Sequence, residues 1–261
     1  MFHFRNLQDT YIVSVSHIFP DDRTATVMYK QDVLAHKVKK TYRFELLQRH
    51  GMQIDGESPG DISEIIMMEL GDSLYPLVLN VEEDGEILSI ENFDEVRTRR
   101  SNKEKELNSK YQSFEFEQYL KAAKDNMKDE KTLRMGLGRD AFIQFYFRDT
   151  DRSDWYFHIF DFPFPDIQLM YYALRKKKPI LHKDSIPVRM PEDNYEIHPA
   201  FQLTDVLRNE GTVYCKRAVA GDIQEMKLYI NLLKDDDTYY RRKITLSRDE
   251  NTERITDNFW I

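Results

Sequence analysis

Alternation with period two opens the chain. Tyr11, Val13 and Val15 stand against Ile12, Ser14 and Ser16. Ala25, Val27 and Tyr29 follow, and then Tyr42, Phe44 and Leu46 against Thr41, Arg43 and Glu45. Successive side chains of a strand point to opposite faces, so these runs predict antiparallel strands with one wet face. Residues 20–23, PDDR, have the Pro and Asp chemistry of a tight connection, which makes an opening hairpin the expectation. Residues 51–61, GMQIDGESPGD, are expected to form a loop.

The period then changes. Ile62, Ile65, Ile66 and Leu70 recur at helical spacing behind Asp61, a suitable N-cap, and predict a short helix. Two apolar runs in LYPLVLNVEEDGEILSIEN are separated by Asp84-Gly85, whose tolerance of positive φ favours a hairpin. Asn92 and Glu95 stand at capping-box spacing and predict a helix from about residue 93 to about 109. A second helix is expected from Ser113, with Phe116, Tyr119, Leu120, Ala123 and Met127 on one stripe. Residues 130–148 are expected to be helical, with a break at Gly136 and Gly138. Further on, Val213–Val219, Met226–Leu233 and Tyr239–Leu246 predict a C-terminal meander turning at 220–222 and 234–237.

Strands, then helices, then strands describe an α+β protein. The expected architecture is a curved antiparallel sheet or half-barrel with a central helical block packed on one face. No repeat or low-complexity linker divides the chain, so residues 1–261 are expected to form one domain. Any subdivision would fall near 100–112 or 176–195, where charge and proline rise.

Rings concentrate in one region. Twelve of the 33 aromatic residues lie between Phe142 and Tyr172. Within WYFHIFDFPFPD (155–166), strand parity puts Tyr156, His158, Phe160, Phe162 and Phe164 on one face, and Trp155, Phe157 and Ile159 on the other. The first half of this strand is therefore expected to be buried on both faces. Trp155, Tyr156, His158, Phe160, Phe162 and Phe164 are the candidate ligand- or partner-binding residues, as core, as wall of an apolar cavity, or as interface.

Composition narrows the function. The net charge of −8 argues against a nucleic-acid partner, whose phosphates draw their affinity from Lys and Arg. Short basic runs at 37–40, 97–100 and 175–178 neighbour acidic residues and predict solvated faces. The single Cys215 excludes an intrachain disulfide and fits a reducing compartment, so a cytoplasmic location is expected. No stretch approaches the length of a membrane-spanning apolar helix, and no export signal is expected.

Catalytic and metal patterns fail on spacing. None of the seven histidines pairs at i, i+4. The run DTDRSD (149–154) lacks the glycine and the bidentate Glu of a calcium loop, and the GLG at 136–138 follows no strand, as a dinucleotide fingerprint requires. Neither a metal nor a cofactor is expected, and no catalytic residue is assigned.

The stretch YPLVLNVEEDGEILSIENFDEVRTR, with the charged helix, the aromatic helix near Phe142 and the late meander, resembles a pattern in uncharacterised proteins of Bacteroidota. The resemblance covers about a third of the chain; it implies a bacterial origin and carries no activity. The leading expectation is a non-catalytic cytoplasmic component that binds a protein partner. Alternatives are a carrier of an apolar small molecule in a half-barrel cavity, and a hydrolase whose site assembles only in three dimensions.

Overall fold

The computed structural model describes residues 7–83, 85–111, 116, 120, 127–147, 154–160, 162, 168–175, 193–199, 208–217, 223–235, 238–250 and 255–256. The alternating N-terminal runs form three long strands, β1 (Leu7–Ile18), β2 (Thr24–Val38) and β3 (Thr41–Ile54). Asp22 takes the left-handed conformation that closes the β1–β2 turn, at φ 62°. The loop expected at 51–61 begins late, because β3 continues to Ile54. Gly51, at φ 61°, sits where the β2–β3 register shifts, and its freedom at positive φ lets the ladder absorb an extra residue and resume.

Helix α1 (Ile62–Asp72) starts at Asp61, where the Glu64 carboxylate reaches back to accept from the backbone N–H groups of Gly60 and Asp61 at 3.1 and 3.2 Å. Strands β4 (Leu77–Glu82) and β5 (Ile87–Ile90) flank Gly85, which has φ 90°. Helix α2 (Phe93–Lys110) follows directly, close to its predicted span. Its expected capping box is corrected. The Asn92 side chain makes no cap bond; it accepts from the Val78 N–H and donates to the Pro76 carbonyl, each at 2.9 Å, and so pins the helix start to β4.

The helix expected from Ser113 lies outside the described residues apart from Phe116 and Leu120, both helical, and Met127, which stands in a turn. Helices α3 (Glu130–Leu137) and α4 (Ala141–Tyr146) are separated near the glycines as expected, and are capped by Asp129 and Asp140. Phe142 to Tyr146 are all buried, as an apolar run on every side requires. Each such ring contributes roughly 2–3 kcal/mol of burial before chain entropy is counted.

Seven strands complete the fold: β6 (Asp154–Phe160), β7 (Gln168–Arg175), β8 (Asp193–Pro199), β9 (Arg208–Arg217), β10 (Ile223–Asp235), β11 (Thr238–Arg248) and β12 (Ile255–Thr256). All ladders are antiparallel, and the order is β5-β4-β3-β2-β1-β11-β10-β9-β8-β7-β6, with β12 added on β1. Two meanders thus join at the centre through β1 and β11. The turns expected at 220–222 and 234–237 lie largely outside the described residues, as does the basic run beyond Arg175.

One face of this sheet is the core. Tyr11, Val13, Tyr29, Phe44, Leu79, Leu246, Leu228, Val213, Tyr171 and Phe157, drawn from nine strands, belong to one buried cluster with Phe142, Phe145 and Tyr146 of α4. Topology explains why helices lie there: the chain leaves the sheet at β5 and re-enters it at β6, the opposite edge. A smaller cluster of Ile66, Leu70, Leu107 and Phe116 joins α1 to α2.

The half-barrel expectation is corrected to an open sheet, since no ladder joins the edge strands β5 and β6. Helical side chains occupy these edges instead. Glu130 accepts from the Ile90 N–H at 2.9 Å, Arg134 donates to the Leu88 carbonyl, and Gln144 of α4 donates to the His158 carbonyl. Among the described residues, no helix is long and apolar enough to cross a membrane.

Candidate binding face

Strand β6 divides the predicted site residues between two environments. Phe157 and Ile159 are buried at 0% and 1% exposure, whereas Tyr156, the residue before them, is 59% exposed. The expectation that this half of the strand is buried on both faces is therefore corrected. Phe157 stacks on Tyr171 of β7 at 5.4 Å and meets Phe145 of α4 at 5.9 Å, which makes it core. Tyr156 lies opposite Tyr172 on the wet face, with ring centroids 6.0 Å apart.

His158 shares the wet face with Tyr156, and its Nδ1 lies 2.6 Å from the Gln168 amide nitrogen. An amide donor there makes Nδ1 an acceptor and orients the ring. Phe162 departs from strand parity because β6 has already ended. It is 1% exposed, packs edge-on against His17 at 5.5 Å and lies 5.9 Å from the Arg242 guanidinium. The side chains of Trp155 and Phe160, and all of Phe164, lie outside the described residues.

The wet face continues across the second meander. Register places Tyr214 of β9 opposite Lys227 of β10, and Tyr229 of β10 opposite Lys243 of β11. Each lysine stands over its tyrosine, with Nζ at 5.8 Å from the Tyr214 ring and 5.7 Å from the Tyr229 ring. Such contacts contribute about 0.5–1 kcal/mol when exposed. Glu225 pairs with Lys227 at 2.6 Å, while Tyr229 remains 39% exposed. Rings and ammonium groups therefore alternate on one open pleated surface. Sequence reasoning missed this face because its members come from separate strands; the only local signal was Lys227 and Tyr229 at i, i+2.

Two other polar clusters have structural explanations. Arg49 of β3, mostly buried, ion-pairs with Asp140, the cap of α4, and its guanidinium lies 4.1 Å from the Tyr29 ring and 5.2 Å from that of Tyr75. Burial pushes the Tyr29 phenol well above its ordinary range, the Asp140 charge adds to this, and burial likewise raises Tyr75. Asp140 compensates the charge of Arg49, so the cluster works as a clamp fastening α4 to the sheet.

On the wet face, Asp32 accepts from the Thr10 hydroxyl at 2.7 Å and lies 3.3 Å from His50 Nε2, through the same oxygen. A nucleophile relay needs the hydroxyl on the imidazole, and here both sit on the carboxylate.

The basic run at 97–100 is only partly solvated, which corrects its expected role. Arg100 donates to the Leu70 carbonyl in the last turn of α1, and Arg99 to that of Ser73, which ends the helix, and to those of Leu74 and Pro76 in the connection to β4. Cys215 is buried in β9. Among the described residues, no group of three or more His, Cys, Asp or Glu side chains could hold a metal ion. No protein-family model matches the chain, and no curated protein is similar to it in sequence.

Proposed function

We propose that this chain is a non-catalytic cytoplasmic component that meets a protein partner through the wet face of β6 to β11. The observation that carries the reading is the exposure of Tyr156 and Tyr229 on strands whose neighbouring residues Phe157, Leu228 and Ile230 are buried on the opposite side. Tyrosine offers a large rigid surface at low entropic cost and is enriched where interfaces bury their anchors. The inner rings favour this reading over a carrier, because Phe157, Tyr171 and Phe145 are already engaged with one another.

The test is quantitative affinity purification from the source cells with wild-type protein and with Tyr156→Ala combined with Tyr229→Ala. A polypeptide that accompanies the wild type should be depleted in the variant, since losing an anchor costs about 2 kcal/mol, roughly thirtyfold in affinity. Equal recovery by both proteins, or no accompanying polypeptide at all, would refute the assignment.

A further inference from the structure

We draw no further inference here: the strongest candidate, the surface patch at the β5 edge where Leu88 and Met135 of α3 are exposed beside the contacts of Glu130 and Arg134, carries nothing, because nothing in the structure shows what covers it.

Discussion

Arg49 brings a full charge into the dry side of the sheet, and the residues around it determine how the protein responds to pH. Tyr29 is held protonated chiefly by burial and further by the Asp140 charge, while the backbone N–H of Phe142 donates to it. Its folded-state pKa lies above the unfolded value near 10, so the folded chain retains a proton that the unfolded chain releases as pH rises. Stability is therefore full below about pH 10 and lost above it. Tyr29→Phe keeps the ring over Arg49 and removes this titration, so its urea midpoint should decline less than that of the wild type between about pH 9.5 and about pH 11. Parallel declines would remove Tyr29 as the cause.

Single-residue roles were legible where chemistry is local, as at Asp61. They were illegible where a side chain reaches across the fold. Asn92 has the spacing of a cap, but its amide fits the backbone of Pro76 and Val78 better. Arg99 and Arg100 looked solvated because their acceptors, carbonyls at the end of α1 and in the connection to β4, lie 23 to 30 residues away.

Most elements followed from periodicity, and the exceptions have reasons at the same scale. Strand β7 was not anticipated because Leu169, Met170, Tyr171 and Leu174 put apolar groups on both faces and erase the alternation. Tyr156 was placed in the core because neighbouring rings give no sign of which face is wet. That is fixed by β6 ending a sheet that packs its Phe157 face against α4. Alternation likewise specifies faces and says nothing of closure, which explains the half-barrel expectation. Closure depends on whether β5 and β6 pair, and Glu130, Arg134 and Gln144 occupy their edges instead. Glu130→Ala with Arg134→Ala should lower stability by about 1–2 kcal/mol and speed aggregation measured by light scattering, since an uncapped edge is a template for another strand. Unchanged scattering in a folded variant would show that α3 does not protect the edge.

At the scale of the whole molecule, the core draws on both meanders, and its central ladder joins residues far apart in sequence, from Tyr11 with Arg248 to Ile18 with Arg241. Unfolding should accordingly be a single cooperative transition, in which Val13→Ala and Leu228→Ala each lower the same midpoint, by about 1–3 kcal/mol for Val13 and 2–5 kcal/mol for Leu228. Two resolved transitions, with each substitution moving only one, would instead divide the chain into independent units.

The pairing of β1 with β11 also has a consequence for how the chain is made. Ile18 ends β1 and Thr238 opens β11, so on the ribosome the first strand waits on the order of ten seconds or longer for its neighbour. Through that interval the nascent N-terminal meander presents an unpaired row of N–H and C=O groups, and until α4 is synthesised it presents a bare apolar face as well. Holding chaperones should therefore matter more to the yield of this protein than its final stability would suggest.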